Sequence, residues 1–227
     1  MPTGRAQLDA AALDGSIYAI GGEEYPVVFT ENEAYDPATD SWTTKAPMPT
    51  GRRDLAVVAV DGLVYAIGGL DGSTWDDGGS PLSVVEAYDP QTDSWGERAP
   101  RPTAGAVLAT VVDGTIYAFG PGSAVDAYDP ATDTWTTKSP IPDIGWIITV
   151  EALDDLVYVL AAQRTATYNP RTDSWETWTA HAEHRFWHGS APVFGVICVF
   201  GGATESPAGP SYSVECYTPP MYVYRRE

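Results

Sequence analysis

The sequence predicts an all-β protein assembled from one repeated four-stranded antiparallel unit. The first observation is a recurring nonapeptide. Ala34–Trp42, AYDPATDSW, returns as AYDPQTDSW at Ala87–Trp95, as AYDPATDTW at Ala127–Trp135 and as TYNPRTDSW at Thr167–Trp175, with a broken copy, CYTPPMYVY, at Cys216–Tyr224. The tryptophans stand 53, 40 and 40 residues apart, and a period of about 40–50 residues marks a repeat architecture. The second observation is a tight-turn signal, usually Asp-Gly, between two apolar runs ahead of each copy, the strongest short-range sign of a β-hairpin.

Each element follows in order. The first strand of each repeat is read at Leu8–Leu13, Leu55–Val60, Val107–Val112, Ile147–Leu153 and Ser190–Phe194. The turns are Asp14-Gly15, Asp61-Gly62, Asp113-Gly114, Asp154-Asp155 and Phe194-Gly195. The second strand is IYAIGG, VYAIGG, IYAFGP, VYVLAA and ICVFGG, beginning at Ile17, Val64, Ile116, Val157 and Ile197. A third strand ends at the motif Tyr, Asp-Pro-x-Thr-Asp makes the next turn, and the fourth strand carries the Trp. In the fifth repeat, Tyr222–Arg226 alternates enough to serve as the outer strand.

Strand, Asp-Gly, strand and Gly-Gly followed by Tyr-Asp-Pro-x-Thr-Asp-x-Trp resembles the kelch repeat of β-propellers. The resemblance implies one kelch-type propeller domain over residues 1–227, with five four-stranded blades at about 1–47, 48–100, 101–140, 141–180 and 181–227. It makes Tyr35, Trp42, Tyr88, Trp95, Tyr128, Trp135, Tyr168 and Trp175 scaffold, with the pairs Gly21-Gly22, Gly68-Gly69 and Gly201-Gly202. Repeat 3 has Gly120-Pro121 and repeat 4 Ala161-Ala162 at the double glycine, while repeat 5 has Cys198 where the others have Tyr and lacks the Trp. Kelch rings commonly have six or seven blades, so the alternative is a larger propeller completed by a partner or another copy.

The charge narrows the partners. Twelve Lys and Arg against 31 Asp and Glu give −19, which argues against binding nucleic acid or an anionic membrane, since both need clustered cations. No run approaches the roughly 18 apolar residues of a membrane-spanning helix, and Met1 does not open onto a signal segment; the compartment stays open. Two lysines beside ten arginines, on an Asp-rich chain, fit either an ordinary solvated acidic surface or a halophilic one. Cys198 and Cys216 fall on neighbouring strands, where two buried thiols are favoured and a cross-strand bridge is the alternative.

Function is expected where the repeats differ. From the second residue of the glycine pair to the motif Tyr the count is 13, 19, 7, 6 and 15 residues, so repeats 5, 1 and 2 carry the long loops. Nine residues before the hairpin stand Arg5, Arg52, Ala104, Gly145 and Arg185, and Arg53 adds a fourth guanidinium. These arginines are candidates for gripping a carboxylate or acidic peptide, as kelch domains often do in that region; the competing reading is pairing with nearby Asp and Glu. Tyr25 and Phe29 in the first long loop and Trp75 in the second are candidate contacts, with His188 at the channel mouth. His181, His184 and His188 are weak metal candidates; no cofactor is expected and no catalytic constellation is legible. The expectation is a non-catalytic protein- or peptide-binding module using the long-loop face of blades 5, 1 and 2. The alternatives are a carbohydrate-active or isomerising enzyme at the channel mouth, and a structural subunit that self-associates through its C-terminal strand.

Overall fold

Each repeat folds as four antiparallel strands laid side by side in chain order. A computed structural model describes residues 1–72, 78–161, 164–178, 185–186, 189–200, 203–205, 208–210, 214–218 and 222–225. They fall into two units, Met1–Lys138 and Ser139–Glu227.

The first unit holds three sheets. The first is β1 (Asp9–Leu13), β2 (Ser16–Ile20), β5 (Asn32–Asp36) and β6 (Ser41–Thr44), with a small hairpin of β3 (Glu23–Glu24) and β4 (Val27–Val28) inside its long loop. The second is β7 (Ala56–Val60), β8 (Leu63–Ile67), β9 (Val85–Asp89) and β10 (Ser94–Arg98). The third is β11 (Leu108–Val112), β12 (Thr115–Phe119), β13 (Val125–Asp129) and β14 (Thr134–Thr137). In the second unit, β15 (Ile147–Leu153), β16 (Leu156–Ala161), β17 (Thr165–Asn169) and β18 (Ser174–Trp178) make the fourth sheet. A short sheet joins β19 (Arg185–Phe186), β22 (Ala203–Glu205) and β23 (Ala208–Pro210). The fifth four-stranded sheet is β20 (Gly189–Val193), β21 (Val196–Phe200), β24 (Val214–Thr218) and β25 (Tyr222–Arg225).

Four of these sheets are blades whose side chains are described on every strand, against the five blades expected. The fifth repeat still pairs its four strands, but most side chains of β24 and β25 lie outside the described residues. This is also the repeat that has lost the second-strand Tyr and the outer Trp.

The turns behave as their residues require. Asp14 and Gly15, with φ of 49° and 80°, join Leu13 to its cross-strand partner Ser16. Asp61-Gly62 and Asp113-Gly114 repeat this, the left-handed pair that matches strand twist. In the Asp-Pro-x-Thr-Asp turn, the Asp36 carboxylate accepts from the Ala38 amide (2.8 Å) and the Thr39 hydroxyl (2.9 Å). The second aspartate of the motif takes the tyrosine hydroxyl: Tyr35 to Asp40 at 2.8 Å, Tyr88 to Asp93 and Tyr128 to Asp133 at 2.6 Å, Tyr168 to Asp173 at 2.7 Å. Gly22 and Gly69 have φ of 100° and 99°, and a Cβ on either would come within 2.6 Å of a neighbouring carbonyl oxygen. Only glycine fits there.

Packing between sheets repeats as the sequence does. Between the first two sheets, Tyr18 and Ile20 meet Leu55, Val57, Val64 and Tyr88. Between the second and third, Tyr65 and Ile67 meet Val107, Ile116 and Tyr128. Tyr158 and Leu160 meet Ile197 and Val199 in the second unit. The indole N–H of Trp95 donates to the Ala46 carbonyl, and that of Trp135 to the Ala99 carbonyl, both at 2.8 Å. The tryptophans thus fasten one sheet to the strand exit of the one before it.

The cysteines are a correction. Cys198 and Cys216 are direct cross-strand partners and form a disulfide, rather than the two free thiols favoured from sequence. Facing each other across an antiparallel pair places their Cα atoms 4.0 Å apart, close enough for the sulfurs to meet.

Candidate functional site

The long loop of the first repeat is a rigid platform. Its two strands β3 and β4 pair Glu23 with Val28 and Glu24 with Val27. Glu23 is also hydrogen-bonded through its backbone to Ala6 in both directions at 2.8 Å, and the Phe29 amide donates to the Gly22 carbonyl at 2.8 Å. With the base fixed, the tip projects: Tyr25 is 58% exposed and Val27 51% exposed. Phe29 is half-buried at the base, so it supports the loop while Tyr25 presents itself.

Arg53 ties this platform to the long loop of the second repeat. Its Nε donates to the Gly72 carbonyl at 2.7 Å and its Nη2 to the Gly78 carbonyl at 2.8 Å. Nη1 bonds the Asp54 carboxylate, and the Glu23 carboxylate lies 3.5 Å from Nε. One guanidinium therefore holds both ends of the segment between Gly72 and Gly78 and one strand of the neighbouring hairpin. Asp71 closes the same segment by accepting from the Ser80 amide at 2.7 Å. Burial pushes the Asp54 carboxyl above its ordinary range, with the Arg53 charge opposing it.

The other arginines serve the fold. Arg5 pairs with Glu33 at 2.6 Å and Arg52 with Glu86 at 2.7 Å, and none of these side chains is more than 3% exposed. Arg5 also donates to the carbonyls of Ala19 and Gly21, and Arg52 to that of Ala66. Although Arg52 Nε lacks a protein acceptor, it is sealed from solvent with the rest of its side chain. Arg5, Arg52 and Arg53 thus make the internal pairs that the competing reading from sequence described. Desolvated guanidiniums on an acidic chain take internal carboxylates and carbonyls first. The Arg185 side chain, Trp75, His181, His184, His188, Gly201 and Gly202 lie outside the described residues.

Counting back from the hairpin turn misses Arg101. It pairs with Asp126 at 2.9 Å and is fully buried, as Arg52 is with Glu86. A different signal finds all three pairs: an acid two residues before the motif Tyr, namely Glu33, Glu86 and Asp126. Also missed were Trp146, which is 78% exposed ahead of β15, and a polar chain in the second unit. There Ser190 donates to Glu151 at 2.5 Å and lies 2.7 Å from the Thr149 hydroxyl.

Comparison with known proteins agrees with this geometry. Residues 4–49 and 51–100 match the family model described as Kelch motif. The solved structure of YjhT superposes on the chain with a TM-score of 0.80 at 15% identity, over 100% of this chain and 85% of that one; at that identity the likeness is one of fold. Two repeats thus match the kelch motif directly and the other sheets share their register, so the chain carries kelch motifs on a kelch-type β-propeller fold.

Proposed function

We propose that the chain is a non-catalytic binding module that holds a protein or peptide partner on the loop surface of its first two blades. The observation that supports this most is Tyr25, a large aromatic held out from a hairpin anchored on both sides. A rigid, exposed aromatic loses little entropy on binding and supplies a large contact area. Loops on a rigid scaffold are where such contacts concentrate.

The charge of this surface refines the earlier reading. With Arg53 drawn into the loop bases, the exposed charges described in the two long loops include Glu24, next to Tyr25 in the hairpin, and Asp71 in the second loop. The partner is therefore proposed to insert an apolar side chain against Tyr25 and Val27 and to flank it with basic residues, in place of the acidic peptide first expected.

Affinity capture from the native source with the wild-type chain, Tyr25→Ala and Val27→Asp in parallel tests this. The expected result is a partner retained by wild type and lost from both variants, with all three proteins melting alike. A partner captured equally by all three, or competed by free acidic peptide and not by basic peptide, overturns the reading.

A further inference from the structure

The fifth repeat departs from a pattern that the other four inner hairpin turns keep. The first residue of each of those turns is a left-handed aspartate: Asp14, Asp61, Asp113 and Asp154 have φ of 49°, 52°, 48° and 50°. Aspartate tolerates that backbone because its short carboxylate can bond locally. In the fifth repeat the position holds Phe194, with φ of 50°. Among the described residues it is the one apolar side chain at positive φ, and a bulky residue is strained there.

The fold offers the phenyl ring nothing in return. Val193 and Val196 are the last paired residues of β20 and β21, so Phe194 stands beyond the end of its sheet. It is 103% exposed, and a Cβ at neighbouring Gly195 would meet nothing within 4 Å. Strain and exposure both cost the folded chain free energy, and outliers of this kind collect at sites of contact.

The turn beside it is acidic. Thr149 and Ser190 lie 2.7 Å apart near the starts of β15 and β20. Towards the other ends, Leu153 and Leu156 pack on the cluster that includes Ile197. The two inner hairpins of this unit therefore run side by side and end together. That end carries Asp154 and Asp155, both exposed. Arg171 pairs with Asp155 at 2.7 Å, while Asp154 adds a negative charge to the end that bears Phe194.

We propose that Phe194 anchors a second interaction surface, at the hairpin ends of the second unit. Its occupant is a folded protein with an apolar pocket for the phenyl ring and Lys or Arg at the rim. The pocket belongs to the partner because a single protruding side chain presents a knob. The basic rim answers Asp154 and Asp155. A second copy of a chain at −19 would bring like charge to the same place. This surface is independent of Tyr25, which belongs to the other unit and to a loop between second and third strands.

Photo-crosslinking from the turn itself tests this. The full chain with benzoylphenylalanine in place of Phe194 is irradiated in extract of the native source, and adducts are mapped by mass spectrometry. The expected adduct joins position 194 to an apolar residue of one protein, close to Lys or Arg, and fades at molar salt. Unlabelled wild type should suppress it, and Phe194→Asp should need at least about tenfold more to do so. Because Phe194→Asp restores the turn residue of the first four repeats, it should melt at or above the wild-type temperature. No adduct, adducts spread over many proteins, or an adduct with lipid or a second copy of this chain would each overturn the proposal. Equal competition by Phe194→Asp does the same. So does a melt of that variant well below wild type, since the ring would then belong to the fold.

Discussion

The Arg53 guanidinium donates to the Gly72 carbonyl at 2.7 Å across the base of the second long loop, while its side chain is 3% exposed. An arginine that sequence alone offers as a ligand clamp is a clamp on the protein's own loop. Its fork geometry explains the choice of residue. Nε and Nη2 reach Gly72 and Gly78 together, which a lysine ammonium at one point in space does not reproduce.

Arg53→Lys is therefore expected to open the loop without unfolding the blade. Hydrogen bonds to charged groups contribute about 1.5–3 kcal/mol each, so losing one of the two contacts is a measurable local loss. Amide exchange at Leu70, Asp71 and Leu82, whose N–H groups bond Arg53, Ser80 and Gly69, should accelerate. That of Ile67 in the core strand should not. Equal exchange in the variant and wild type would show that the loop holds itself.

The buried pairs give a second prediction, because acid and arginine vary together along the chain. Glu33, Glu86 and Asp126 each have their arginine, while repeat 4 has Ala166 at the acid position. In repeat 5 the acid is back as Glu215 and Arg185 stands ahead of the inner strand. Arg52→Met alone should cost about 3–5 kcal/mol, since it strands the Glu86 carboxylate, and Arg52→Met/Glu86→Leu together should cost much less. A double-mutant cycle on Arg185 and Glu215 is expected to show coupling of the same sign. Additive effects at that pair would mean that the fifth repeat uses its arginine elsewhere.

These contrasts mark what was legible in the residues. The hairpins and strands were readable because Asp-Gly and period-2 alternation act locally. The scaffold role of Tyr88 and Trp95 was readable because the motif recurs whole. Arg101 escaped because it stands twelve residues before its hairpin turn where Arg52 stands nine before, and only the side chain, not the chain position, is equivalent. The disulfide escaped because two cysteines on adjacent strands do not reveal their register from spacing. Trp146 gave no periodic signal at all, and an exposed aromatic reads in sequence like a buried one.

The Cys198–Cys216 bridge occupies the cross-strand position that Tyr18 and Ala34, Tyr65 and Ala87, and Tyr117 and Ala127 fill elsewhere. In the one repeat without the full aromatic set, a covalent link takes the place of the packed tyrosine. Closing a loop between cysteines 18 positions apart stabilises by about 3 kcal/mol through the unfolded chain. Reductant should therefore lower the melting temperature and speed exchange in β21 and β24, leaving β8 and β9 unaffected at the same temperature. Cys198→Tyr with Cys216→Ala restores the pair used by the first three sheets and should abolish the sensitivity to reductant. A melt unmoved by reductant in the wild type would mean that the bridge adds nothing to the fold.

Asp9 supplies the pH dependence. Its carboxylate accepts the Val57 amide at 2.7 Å and the Ala10 amide at 2.8 Å. Burial nevertheless pushes its pKa above the ordinary range, and the two amides only partly oppose that rise. A carboxyl whose folded pKa lies above its unfolded value of about 3.9 binds protons more tightly in the folded state. Its contribution to stability is then fully present below about pH 3.9 and is lost as pH rises through the raised folded value. Asp9→Asn, neutral throughout, escapes that loss but gives up one of the two accepted bonds, a cost that does not vary with pH. The difference in stability between Asp9→Asn and wild type should therefore move in favour of the variant between about pH 4 and pH 8. For a chain of this length each kcal/mol appears as about 2–4 °C in Tm. A difference that stays flat across that range would show that the Asp9 carboxylate is as comfortable folded as unfolded.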